Sequence, residues 1–134
     1  AELNEVKALH YEMLAAFTRR DLSAYYQVNA AIHRSINAAA KNPVLTATYN
    51  QVNARLQALR FRSNQDGDKW QRAVDEHIAM VQALEARDGA ALRQVLMQHL
   101  DNKRSVVIEQ LRSASIAATT DNNASPSLTE GQAS

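Results

Sequence analysis

Apolar side chains recur along this chain at the three- and four-residue spacing of an α-helix, in five successive segments separated only by short breaks. The first runs from Leu3 to about Phe17 through Val6, Leu9, Met13 and Leu14. The second carries Leu22, Tyr25, Tyr26, Ile32, Ile36 and Ala40, with Asp21 placed to cap its start. Asn42-Pro43 is the clearest break, because Asn caps a helix and Pro suits a first turn, where its missing N–H is not needed. The third segment then carries Leu45, Tyr49, Val52, Leu56 and Leu59 and fades near Arg62. After the turn-rich run Ser63-Asn64-Gln65-Asp66-Gly67-Asp68, a fourth segment carries Trp70, Val74, Ile78, Val81 and Leu84. Arg87-Asp88-Gly89 ends it, and Asp88 can cap a fifth with Leu92, Val95, Leu96, Val106, Val107 and Leu111. Only 3 Gly and 2 Pro occur in 134 residues, so little opposes helix formation. The expected fold is an all-α antiparallel bundle over residues 1–112, one domain with one core. From Ser113 the composition turns to Ser, Ala, Thr and Asn without apolar periodicity, so residues 113–134 are expected to form a flexible tail.

Charge and composition narrow the function classes. Fifteen basic and 14 acidic residues leave a net charge of +1, too little to hold a polyphosphate backbone or an anionic membrane surface. Direct nucleic-acid binding is therefore not expected. The chain has no cysteine, which excludes disulfides and thiolate metal sites, so any metal must be held by His, carboxylate or amide groups. No apolar run approaches the roughly 18 residues of a membrane span, and a soluble protein is expected.

Three of the four histidines interrupt apolar stripes, where a polar group is costly unless a partner satisfies it. His33 continues the line of Leu22, Tyr25 and Asn29 on the second helix, His77 that of Trp70 and Val74 on the fourth, and His99 that of Leu92 and Val95 on the fifth. Their heights also agree. His77 lies 11 residues before Asp88 and His99 lies 11 after it, so at about 1.5 Å per residue both stand roughly 16 Å from the turn between them. His33 precedes Asn42 by nine residues, about 13 Å from the turn at that same end. Three imidazoles thus share one layer, and Asn29, one turn from His33 on the same face, can join them. His10 is expected at the surface or edge.

Neutral imidazoles with an amide or water suit a borderline divalent ion, Zn²⁺ first, with Ni²⁺, Mn²⁺, Fe²⁺ and Co²⁺ also compatible. Such a site contains no carboxylate, so an anionic ligand is its natural complement, and Arg55 on the third helix is a candidate second anchor for a small carboxylate. Arg60 and Arg62 read as solvated. Two other functions remain open. One is a metal-free helical dimerisation module with hydrogen-bonded core histidines. The other is a three-histidine zinc hydrolase, disfavoured because no His-Glu-x-x-His or Glu-x-x-His motif occurs.

The same residues carry a family resemblance. Asn29-Ala30-Ala31-Ile32-His33-Arg34-Ser35-Ile36, followed by Ala39 and Asn42-Pro43-Val44-Leu45, resembles the D/N-x-x-x-H helix and Asn-Pro break of the FCD effector domain of FadR-type GntR transcriptional regulators. Glu76-His77 and Gln98-His99-Leu100, separated by Ala86-Arg87-Asp88-Gly89, resemble its second and third histidine elements. The resemblance covers residues 1 to 112. It implies a helical bundle that senses a small organic acid, often through a metal, without catalysis. It further implies a cytoplasmic homodimer acting on DNA through a winged helix-turn-helix domain absent from this sequence. This chain departs from the pattern in having Asn29 where members often have Asp, and the family's first effector-domain helix is expected upstream of Ala1.

Overall fold

The chain forms five α-helices: α1 (Glu2–Thr18), α2 (Leu22–Ala39), α3 (Pro43–Ser63), α4 (Gly67–Glu85) and α5 (Gly89–Asn122). They are seen in a computed structural model that describes the backbone of residues 1–63 and 67–122 and the side chains of 1–56 and 67–117. Leu59, Arg60 and Arg62 therefore lie outside the described side chains, and Asn64, Gln65, Asp66 and the end of the expected tail, residues 123–134, outside the described residues. The all-α expectation holds throughout the described part. α5 continues through Asn122, ten residues beyond Arg112, so the segment from Ser113 to Asn122 is helix rather than loop. Its Ala, Ser and Ile residues permit helix without an apolar period to announce it.

Three inter-helix turns share one construction. A basic residue adopts the left-handed conformation, Arg20 at φ 58°, Lys41 at 52° and Arg87 at 54°, and an Asx residue follows it. The side chains of Asp21, Asn42 and Asp88 then accept hydrogen bonds from the backbone N–H of Ala24, Leu45 and Ala91, at 2.9, 3.0 and 2.9 Å. Each satisfies an orphan donor of the next helix, a contribution of about 1 kcal/mol. The short connections fold successive helices back on one another.

Around the bundle the order is α1, α2, α3, α5, α4, with α4 returning to pack on α1. The core lies chiefly among α1, α2 and α4, where Val6, Met13, Ala16, Tyr25, Ile32, Trp70, Val74 and Val81 are buried together. Trp70 anchors one end of it, meeting Phe17 and Tyr25 edge-on at ring-centroid distances of 5.0 and 5.2 Å. Such aromatic pairs add about 0.5–1.5 kcal/mol each beyond their buried area. Over its described side chains α3 is the least embedded helix. Tyr49 and Leu56 are half-buried, but Leu45 and Val52, expected on a core stripe, are exposed, because α3 offers only a narrow edge to α2 and α5. Leu111, also expected in a stripe, is exposed on α5. Among the described residues no helix is long and apolar enough to cross a membrane.

Candidate metal centre

α2, α4 and α5 each bring one imidazole to the same level of the bundle. The ring of His77 lies 5.0 Å from that of His33 and 5.0 Å from that of His99, edge-on to both, and His33 and His99 are 5.2 Å apart. One ring nitrogen from each residue lies within 4.8 Å of the others. His77 and His99 are only 1% and 2% exposed, and His33 is half-buried. The helical period accounts for the convergence: His77 falls between the buried Val74 and Val81 of α4, and His33 follows the buried Ile32 of α2.

The chemistry of these nitrogens is that of a ligand set. Burial, reinforced by the charges of His33, His99, His10 and Lys103, holds the His77 imidazole well below its ordinary pKa of 6.5, so it is neutral and can donate a lone pair. Its Nε2 is buried and makes no hydrogen bond within the protein. An orphaned buried nitrogen in a layer of imidazoles is costly as it stands, and a coordinated cation is one partner that can satisfy it. The three histidines can therefore form a metal site.

Behind His99 stands a second layer that sequence reasoning missed. The Glu76 carboxylate receives His99 Nδ1 at 2.5 Å on one oxygen and the Asn102 amide on the other. Burial alone would raise the Glu76 pKa, but the hydrogen bonds from His99 and Asn102 and electrostatic attraction to His99 and Lys103 outweigh it and bring it below the ordinary value. Negative charge thus already sits one bond away from the layer, which amends the expectation of an uncompensated site. The signal was present in the neighbouring positions: Glu76 points about 100° around the helix from His77, toward α5, where His99 and Asn102 are one turn apart.

The remaining candidates fall at different distances from the centre. Asn29 is half-buried and lines a small cavity of about 30 Å³ together with Tyr26, His33, Tyr49, His99, Leu100 and Lys103. Arg55 is exposed on α3 and is not among the residues lining that cavity, since it lies off the Tyr49 face of its helix. Lys103 is the basic residue among those that do line it. His10 departs from its expected surface position: it is 5% exposed, its Nδ1 has no partner, and burial, opposed by Glu85, lowers its pKa. The buried residues of α1 are Val6, His10, Met13 and Ala16, a helical stripe in which His10 is one member, so the periodicity marked it.

Comparison with known proteins agrees with this architecture. The model of a family described as the FCD domain matches residues 1–102. No curated protein and no solved structure matches the chain significantly.

Proposed function

The chain belongs to the FCD domain family, a family of effector-sensing regulatory domains of GntR-type regulators, and from that premise we propose that it is a metal-dependent sensor of a small carboxylate in a FadR-type transcriptional regulator. In this reading His33, His77 and His99 hold one divalent ion, Zn²⁺ in preference to Ni²⁺, Mn²⁺, Fe²⁺ or Co²⁺, with Asn29 as a neutral fourth donor. The observation that carries it is the orphaned, buried Nε2 of His77 amid two further imidazoles. When bound, the ion supplies a positive charge to which a carboxylate can coordinate.

The protein's own residues shape what can bind beside it. The cavity of about 30 Å³ has room for one or two waters or a single carboxylate group. Lys103, Tyr26 and Tyr49 line the cavity and give it polar and basic character suited to an anion, and in this reading Arg55 on α3 is a second anchor for a longer diacid. Effector binding then shifts the balance between two arrangements of a homodimer, and with it the DNA affinity of a winged helix-turn-helix domain elsewhere in the regulator, in the cytoplasm. Catalysis has no part in this reading, in which Glu76, the carboxylate bonded to the layer, is engaged by His99 and Asn102.

A metal-free dimerisation module is the second reading, and the Glu76–His99 bond favours it in that it engages one imidazole nitrogen without an ion. Metal analysis of protein purified without a nickel column, with thermal melts before and after chelation, separates the two. Stoichiometric metal and a chelator-sensitive melting temperature are expected; no metal and an indifferent melt would favour the module.

A further inference from the structure

We infer that Glu76 is a positioning residue, which fixes the His99 ring as its Nδ1–H tautomer and so turns Nε2 toward the shared layer. The inference rests on the metal reading for its functional meaning, but its structural content stands without an ion.

Nδ1 of His99 approaches one oxygen of Glu76 at 2.5 Å, a close hydrogen-bond contact. A carboxylate only accepts, so the proton belongs to Nδ1, and a neutral imidazole then carries its lone pair on Nε2. The other Glu76 oxygen is taken by the Asn102 amide, which prevents the carboxylate from rotating away. Asn102 and His99 are three residues apart on α5, and the Glu76 side chain is 14% exposed, so both bonds are largely shielded from water. Metal-ligating histidines commonly use their second nitrogen this way, and loss of the partner typically weakens metal binding 10–100-fold.

The test uses the full chain with ¹⁵N-labelled histidine. In the metal-free wild type, two-bond proton–nitrogen correlations are expected to show His99 wholly as Nδ1–H, with a strongly downfield Nδ1 proton. Glu76→Gln, which keeps an acceptor oxygen, retains the tautomer but moves that proton upfield. Glu76→Leu mixes the tautomers and raises the Zn²⁺ Kd by about 10–100-fold, whereas a merely structural role would lower the melting temperature and leave the tautomer unmoved. His99 found as Nε2–H in the wild type overturns the inference, as does a Glu76→Leu protein with unchanged tautomer and unchanged Kd. A wild type that binds no Zn²⁺ defeats the metal reading, and the tautomer measurements then decide this inference alone. Should Glu76→Leu not fold, the wild-type tautomer and the Glu76→Gln proton shift decide it.

Discussion

The imidazole ring of His33 lies stacked on that of His99, with centroids 5.2 Å apart and 21° between the planes. The edge-on ring of His77 closes the third side, and its burial disfavours the charged form.

Metal-free protein should therefore lose stability on mild acidification. The folded-state pKa values of His77 and His10 both lie below the ordinary 6.5, so below that pH the unfolded chain takes up protons that the folded chain refuses. The stability linked to the neutral forms is complete above pH 6.5 and is lost as pH falls toward the folded values, at up to about 1.4 kcal/mol per pH unit for each histidine. Glu76, with its pKa lowered from 4.5, adds a separate loss only at more acid pH. Urea unfolding in chelator between about pH 8 and 5 measures this directly; a flat profile would show that the histidines are not buried neutral.

Asn29 lines the cavity wall shared with His33 and His99, and its amide has a neutral oxygen to offer. Replacing it by Asp supplies an anionic donor of nearly the same shape. Asn29→Asp is expected to tighten Zn²⁺ binding about tenfold, near 1.4 kcal/mol, and to weaken the response to carboxylates because the added charge competes with them. Competition titration with a chromogenic chelator reads the first effect. Equal affinities in the two proteins would remove Asn29 from the ligand set.

His10 has no partner for its buried Nδ1, and leaving such an atom unsatisfied costs about 1–3 kcal/mol. His10→Leu fills a similar volume without the polar atom. It should raise stability by about 1 kcal/mol and reduce the acid sensitivity described above, without altering metal content. A destabilised variant would mean that His10 Nδ1 is satisfied by a bound water.

What the sequence made legible follows from its periodicities. Asp21, Asn42 and Asp88 fix where three helices begin, so the heights of His33, His77 and His99 follow by counting, and their rings do meet. The embedding of each helix is not encoded in its own stripe. Val52 keeps helical spacing with Tyr49 and Leu56 yet is exposed, since exposure depends on how much of α3 its neighbours cover. Glu76 was obscured for a related reason: its partners His99 and Asn102 belong to another helix, and their alignment depends on the rotation of α5 against α4. His10 shows the opposite error, a stripe position discounted because its residue type is usually found near the surface.

Lys103 and Arg55 distinguish two routes for an effector. Lys103 lines the cavity beside His33 and His99, and Arg55 does not. If a carboxylate binds in that cavity, Lys103→Met should abolish most of the melting-temperature rise that small diacids produce, while Arg55→Ala should diminish it only for longer ones. Thermal-shift titrations with acids of increasing length would decide the matter. Loss of the response to every acid in Arg55→Ala, with Lys103→Met unaffected, would move the binding site to the outer face of α3.

Arg20 and Arg87 occupy the same left-handed position in equivalent turns, at φ 58° and 54°, a conformation that costs a non-glycine residue about 1–2 kcal/mol. Glycine relieves that strain but gains more freedom in the unfolded chain, worth about 0.5–1 kcal/mol. Arg87→Gly should therefore stabilise by a few tenths to about 1 kcal/mol. Arg20 differs because its guanidinium lies 5.1 Å from the Phe17 ring centroid and 5.8 Å from that of Trp70, contacts worth about 0.5–1 kcal/mol each at exposed sites. Arg20→Gly should accordingly be neutral or destabilising although the backbone relief is the same. Urea unfolding of the two variants under identical conditions tests the difference, and equal gains in both would show that the Arg20 cation–π contacts add nothing to stability.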